Sequence, residues 1–177
     1  VKLYFMCGLP DERQEDLDGI IEMSEKIARI GKEVCGRFPT VTANVSNFVP
    51  KPHTPFQWLG MSDWDYFANA HRYLRNRPRL RCVKVKHHDL ETSLLEGLMC
   101  RGDRSLGRLI ETVWREGARF DAWSEHFEAR RWNDAIQKLG IDVEGIVHSP
   151  RDPEALTSWS HIGIPIGCES LRREYDD

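Results

Sequence analysis

The chain has 177 residues and a formal net charge of −3, and hydrophobic and charged residues make up 40% and 30% of it. This composition is typical of a folded domain with a real apolar core, and the small net charge gives no overall attraction to nucleic acid or membranes. No apolar run approaches the roughly 20 residues that a membrane-spanning helix needs, and no signal-peptide pattern is present. We therefore expect a cytoplasmic protein with no membrane partner.

The first half of the chain alternates between strand and helix patterns. Apolar or alternating runs predict strands at residues 1–6, 41–49 and 82–86. Between them, an apolar stripe beginning at Leu17 predicts a helix ended by Gly31, and a capping-box pattern at residues 62–65 opens a second helix. The order predicts parallel strands joined by crossover helices, an α/β fold. The second helix is expected to bury Trp64, Phe67, Ala68, His71 and Leu74.

Three strands are too few to close a barrel, and a lone parallel sheet leaves edges and faces uncovered. Val1 already stands inside the first predicted strand. We therefore expect that earlier strands of a larger sheet precede Val1 in the full-length protein. From Leu90 onward the pattern is helical, with helix ends at Gly102, Gly117 and Gly140, and residues 149–165 read as irregular.

The cysteines do not form a recognisable metal or disulfide pattern. Their number is odd, no two lie closer than 18 residues, and there is no CxxC pair. We expect five reduced thiols, mostly buried as small apolar groups. His87 and His88 are adjacent on a predicted strand, so their side chains point to opposite faces and are not expected to share a metal ion. No metal site is predicted.

Two rigid turns stand at predicted strand ends, where ligands bind in α/β barrels. The first runs from Gly8 to Glu12, where the glycine would let a ligand approach the backbone and the acids suit the start of a helix. The second, at residues 47–58, holds three prolines in six positions and could position Lys51, His53 and Gln57. The simpler alternatives are an ordinary strand–helix turn and a stiff loop that only covers a barrel mouth.

Several segments resemble the cobalamin-binding radical SAM proteins of uncertain substrate. Residues 2–12 (KLYFMCGLPDE) and 49–58 (VPKPHTPFQW) look like the fifth and sixth strand ends of radical SAM barrels. Residues 95–108 (LEGLMCRGDRSLGR), 120–127 (FDAWSEHF) and 159–162 (WSHI) resemble later parts of the same proteins. The likeness covers nearly the whole chain.

The resemblance implies the last strands of a partial (β/α) barrel in residues 1–89 and a helical C-terminal extension in residues 90–177. It implies a full-length enzyme that uses S-adenosylmethionine, a [4Fe–4S] cluster and cobalamin for radical chemistry. By position, Gly8, Leu9, Pro10 and Glu12 would help to hold S-adenosylmethionine. Val49 and Pro50 would lie near its adenine, and Lys51, His53 and Gln57 would face the substrate.

The chain departs from this pattern at the cluster. The three cysteines at CxxxCxxC spacing that ligate the cluster are absent from these 177 residues, and scattered single cysteines cannot replace them. The resemblance therefore implies that the upstream part of the same polypeptide carries the cluster and cobalamin regions. We expect no radical chemistry, and no firmly held cofactor, in this chain alone.

A basic segment lies between the second helix and the third strand. Residues 72–86 contain seven Arg and Lys residues and no acid, among them Arg72, Arg75, Arg77 and Arg79. Such a patch can bind phosphates even on an acidic protein and would suit RNA, whereas the simpler reading is a solvated helix end. Two rivals to the enzyme reading stay open: a nucleic-acid-binding module carried by residues 72–88, and a partner-docking domain in the helical half.

Overall fold

A computed structural model describes residues 1–176 and shows an α/β chain. The chain divides into two compact units, of which the first joins Val1–Phe48 to Met61–Ser93. The second joins Val49–Gly60 to the part of the chain that begins at Leu94. The proline-rich segment after the second strand thus belongs to the same unit as the helical half. The assignment of residues 1–89 to the end of a barrel stays a prediction. Among residues 1–176, no helix combines the length and apolar character needed to cross a membrane.

The first unit is built on a parallel sheet of three strands, β1 (Lys2–Cys7), β2 (Val41–Asn47) and β3 (Val83–His87). Their order in the sheet, β1-β2-β3, is their order in the chain, and both pairs are parallel. The register places Cys7 opposite Asn47 and Val45 opposite His87. The carboxyl ends of the strands therefore meet at one edge, as predicted for this strand–helix alternation.

Helices α1 (Gln14–Cys35) and α2 (Trp64–Asn76) pack on the same face of this sheet. Ala28 of α1 clusters with Val41 and Val83, and His71 of α2 contacts Asn47 and His87. We call the opposite side the open face. None of its side chains is buried, and they are Lys2, Tyr4, Met6, Thr42, Asn44, Ser46, Lys84 and Lys86.

Two details of the helices differ from the predictions. Helix α1 passes through Gly31 and ends at Cys35, with Gly36 at φ 72° as its left-handed C-cap. At Gly31 a Cβ would come within 2.5 Å of the Pro39 ring. This glycine inside α1 therefore allows Pro39, which follows the helix, to pack closely against it. In α2, Phe67, His71 and Leu74 are buried as predicted, but Trp64 is exposed.

The second unit is mainly helical, as predicted. Its regular elements are a 3₁₀ turn (Pro55–Trp58), the end of α3 (Leu90–Arg101), a 3₁₀ turn (Arg104–Leu106), α4 (Gly107–Arg115), α5 (Ala129–Leu139), a π-helical turn (Glu144–His148) and α6 (Cys168–Asp176). Helix α5 ends at Gly140, a left-handed C-cap with φ 62°. Helix α4 buries Leu109 and Val113, whereas Ile110 and Trp114 are exposed.

Candidate functional site

The turn after β1 is held by its own side chains. Gly8 has φ 84°, which disfavours any residue with a side chain, and its amide donates a hydrogen bond to Glu12 Oε2 at 3.0 Å. A Cβ at Gly8 would come within 2.5 Å of the Phe67 ring. The space beside the Gly8 Cα that a side chain would occupy is therefore filled by Phe67 of α2, and ligand binding at the Gly8 backbone stays a prediction.

Glu12 also connects this turn to α2, because the Tyr66 hydroxyl donates a hydrogen bond to Glu12 Oε1. Burial, and then the hydrogen bond to this carboxylate, raise the pKa of Tyr66, so the phenol keeps its proton. Leu9 and Pro10 lie at the tip of the turn and are exposed. The arrangement presents two exposed apolar side chains, next to the exposed Asp11, on a backbone fixed from both sides.

Asn47, at the carboxyl end of β2, is the centre of a buried polar network. Its Oδ1 accepts a hydrogen bond from His71 Nε2 at 2.7 Å, and its Nδ2 donates to Ser93 Oγ at 2.8 Å. Ser93 in turn donates to the carbonyl of Asp89 at 2.7 Å. Asn47, His71 and Ser93 are all buried, so one side chain fastens the end of β2 to α2 and α3.

Cys7 lies against this network with its Sγ 3.9 Å from Asn47 Oδ1. Burial, and next the charge of Glu12, raise the pKa of the Cys7 thiol to about 12. It is therefore protonated at neutral pH and is neither a reactive thiolate nor a ready metal ligand. This agrees with the expectation of an inert, buried cysteine at this position.

His71 connects the buried network to the surface through a stacked pair. The rings of His71 and His87 lie 4.0 Å apart at an interplanar angle of 16°. Burial, followed by the charges of His87 and Arg75, lowers the pKa of His71 to about 4. Arg75 approaches His87 Nε2 at 3.2 Å from its guanidinium, and His87 Nδ1 faces the carbonyl of His88 at 3.3 Å.

An open groove of about 420 Å³ runs beside this stack. We call it the Trp64 groove. Its lining includes Trp64, Arg72, Arg75, Asn76, His87 and Asp89. Sequence patterns placed Trp64 in the core, so the groove could not be anticipated from them.

The four arginines predicted to bind nucleic acid line three grooves between them. Arg72 and Arg75 line the Trp64 groove. Arg77 and Arg79 line a different groove with Asp18, Glu22 and Glu25, and Arg77 Nε forms an ion pair with Asp18 at 2.9 Å. Arg72 and Arg77 both line a third groove, with Asn69, Tyr73 and Asn76, so the two pairs of arginines are neighbours. Nucleic-acid binding by the four arginines stays a prediction.

The proline-rich segment belongs to the second unit, where Val49 and Pro50 are buried. Lys51 Nζ forms an ion pair with Glu96 and lies 3.6 Å from Cys100 Sγ. His53 has φ 59°, and its amide donates to Gln57 Oε1 at 3.2 Å. The same oxygen accepts a hydrogen bond from Trp159 Nε1 at 2.6 Å, so the contacts of the buried Gln57 are internal. Substrate binding by Lys51, His53 and Gln57 stays a prediction.

Arg101 is a residue whose importance the sequence did not reveal. Its side chain is buried, and its guanidinium donates to the carbonyls of Gln57, Leu59, Ile146 and Ser149. Burial, and then the nearby charge of Arg151, lower its pKa to about 10, so it remains a cation. It holds the end of the proline-rich segment against the π-helical turn. The only available signal was an arginine just before the helix-ending Gly102.

Within residues 1–176, no group of three or more His, Cys, Asp or Glu side chains is placed to hold a metal ion. Cys35 and Cys168 are exposed, and Cys82 and Cys100 are half-buried. Of the five cysteines only Cys7 is buried, so the prediction that these thiols are mostly buried is wrong.

The chain is similar to a protein of Methanocaldococcus jannaschii named "Uncharacterized protein MJ0966". The two are 27% identical over 112 residues, a region that covers 63% of this chain and 23% of the archaeal protein. The chain thus spans less than a third of that relative's length. No family model matches the chain, and no solved structure matches it significantly.

Proposed function

We propose that this chain is the C-terminal part of a radical SAM enzyme, contributing the last strands of its barrel. The observation that carries the proposal is the winding of the sheet. Consecutive strands are neighbours in the order β1-β2-β3, and both crossover helices lie on one face. Since crossovers are almost always right-handed, continuing this order curls a sheet into a (β/α) barrel, whereas a doubly wound sheet reverses direction and carries helices on both faces.

The open face supports the same proposal. Parallel sheets are normally covered on both faces, yet Tyr4 is 76% exposed and Met6 is 45% exposed on the outermost strand. Within residues 1–176, β1 pairs only with β2, so its outer edge is free to take a further strand. In a completed barrel this face would be the interior wall. The greater length of the archaeal relative is compatible with such an upstream part.

The residues present do not fit an iron–sulfur cluster. Cys7 is buried and protonated, and the other four cysteines are scattered. A cluster needs several thiolates together, so it would have to be held by the upstream part of the same polypeptide, as would cobalamin.

The turn after β1 fits a supporting role for S-adenosylmethionine. When bound, that cofactor would supply the adenosyl group on which this chemistry depends. Glu12 and Tyr66 would keep the turn in place, and the exposed Leu9 and Pro10 would offer it an apolar contact. Val49 and Pro50 retain the adenine-side role that the resemblance implies.

The test uses the full-length protein, prepared without oxygen and with iron and sulfide restored. We expect a cluster signal in electron paramagnetic resonance, binding of S-adenosylmethionine by calorimetry, and formation of 5′-deoxyadenosine. Glu12→Ala should weaken S-adenosylmethionine binding at least about tenfold, because it frees a turn that positions the ligand. Glu15→Ala is the matched control, since Glu15 is exposed on the first turn of α1.

Two results would contradict the proposal. One is full-length protein that binds no cluster after reconstitution. The other is a cluster-loaded protein whose affinity for S-adenosylmethionine is equal in the parent, Glu12→Ala and Glu15→Ala.

A further inference from the structure

The Trp64 groove combines cations that lack acidic partners with an exposed aromatic ring. Within residues 1–176, neither Arg72 nor Arg75 forms an ion pair with a carboxylate, in contrast to Arg77, which pairs with Asp18. The one carboxylate in the lining, Asp89, caps α3 by accepting hydrogen bonds from Thr92 N and Thr92 Oγ1, both at 2.9 Å. Both bonds go to Asp89 Oδ1, and the carboxylate keeps its charge, so the lining sets two guanidiniums against one carboxylate and carries a net positive charge.

The wall of the groove is rigid. His87 stacks on the buried His71, whose Nε2 is held by Asn47, and Arg75 is held against His87. Arg72 is held by Asn69, whose Oδ1 lies 3.3 Å from its guanidinium. Side chains that are already fixed lose less conformational entropy when they bind a ligand.

Trp64 contributes the remaining feature. It is 45% exposed at the first position of α2, although a residue of its size and apolar character is normally buried. An exposed indole beside arginines is the combination with which proteins bind single-stranded nucleic acid: the ring stacks on a base, and the cations bind the phosphates.

We propose that the Trp64 groove binds single-stranded nucleic acid, with one base on Trp64 and the adjoining phosphates on Arg72 and Arg75. The ligand chemistry is an unpaired base next to a phosphodiester, which RNA and single-stranded DNA share. The site is independent of the radical SAM proposal, because every residue in it belongs to the first unit and none is at the turn after β1.

The test measures fluorescence anisotropy of labelled ten-nucleotide RNA and DNA strands with the 177-residue chain. Binding is expected to weaken with salt by a slope of about 0.7 for each phosphate contact. Trp64→Leu should weaken it at least about fivefold, because the base loses its stacking partner. Arg75→Ala should weaken it and lower the salt slope by about one contact. The strand that binds more tightly, RNA or DNA, identifies which nucleic acid the groove prefers.

The controls separate a site from general charge attraction. Arg115→Ala removes the same charge from an exposed arginine of α4 that is paired with Glu111, and Trp123→Leu removes another exposed tryptophan. Both should bind like the parent chain. Circular dichroism checks that each variant is folded. Absence of binding to either strand, or equal losses in Arg75→Ala and Arg115→Ala, would overturn the proposal.

Discussion

Asn47 Oδ1 and His71 Nε2 lie 2.7 Å apart, a hydrogen bond between the last residue of β2 and the buried face of α2. Neither element could place its partner alone. The amide uses its oxygen for His71 and its nitrogen for Ser93, so both of its polar ends are satisfied away from water. This bond explains why a histidine is tolerated in the interior of an apolar helix face.

The first prediction concerns pH. Because His71 is neutral in the folded chain and its pKa is lowered from 6.5 to about 4, the unfolded chain binds its proton first as the solution becomes acidic. The free energy of unfolding keeps its full value above pH 6.5 as far as His71 is concerned. It decreases by at most about 3 kcal/mol as the pH falls toward 4. His71→Gln should show a flatter fall over this range in urea unfolding. Parallel curves for the two proteins would contradict the lowered pKa.

A second prediction concerns Asn47. Asn47→Ala should lower the free energy of unfolding by about 2–4 kcal/mol, because His71 and Ser93 both lose a buried partner. Asn44→Ala is the matched control, since Asn44 stands on the open face of the same strand and donates one bond, to Leu3 O at 3.2 Å. That change should cost less than about 1 kcal/mol. Similar losses for the two variants would show that the network contributes little.

The third prediction separates packing from backbone strain at glycine. Gly8→Ala should destabilise the chain by about 2–4 kcal/mol, since the new methyl meets Phe67 and the backbone has positive φ. Gly36→Ala, which has a similar φ of 72° but nothing within 4 Å of the added carbon, should cost only about 1 kcal/mol. Thermal unfolding of both variants gives the comparison, and equal shifts would mean that Phe67 yields easily.

The fourth prediction concerns Arg101. Arg101→Met should lower the free energy of unfolding by about 3 kcal/mol or more, because several buried carbonyls lose their donor together. Arg101→Lys should recover little, since one ammonium cannot match the guanidinium fork. Arg108→Met, at an exposed position of α4, is the control and should be nearly neutral. A loss below about 1 kcal/mol for Arg101→Met would imply that water replaces the guanidinium.

Local patterns predict the elements of the fold well because each has a chemical signature. Alternating apolar residues mark β2, and Gly140 with its left-handed conformation ends α5 where the stripe ends. Gly31 misleads because the reason for that glycine is Pro39, a neighbour in space that local patterns do not show. Trp64 misleads because it shares the spacing of the buried stripe but stands at the first position of α2, where it is exposed.

The candidate sites are less predictable, since they depend on partners far apart in sequence. Glu12 and Tyr66 are 54 residues apart in the sequence, so no local pattern shows that they form a hydrogen bond. Arg77 carries the same charge as Arg75, and only the position of Asp18 in α1 distinguishes them. Whether each arginine forms an ion pair depends on residues that are distant in sequence, and the sequence around the arginine does not show it.

The two edge strands of the sheet differ in the charge of their exposed side chains, and this difference affects self-association of the chain in solution. The β3 margin presents Lys84 and Lys86, whose charges discourage another strand from adding there. The β1 margin presents Tyr4 and Met6, with one lysine, Lys2, and among residues 1–176 no strand pairs with its outer edge. At high protein concentration the chain should therefore self-associate through β1, and Tyr4→Lys should reduce this self-association.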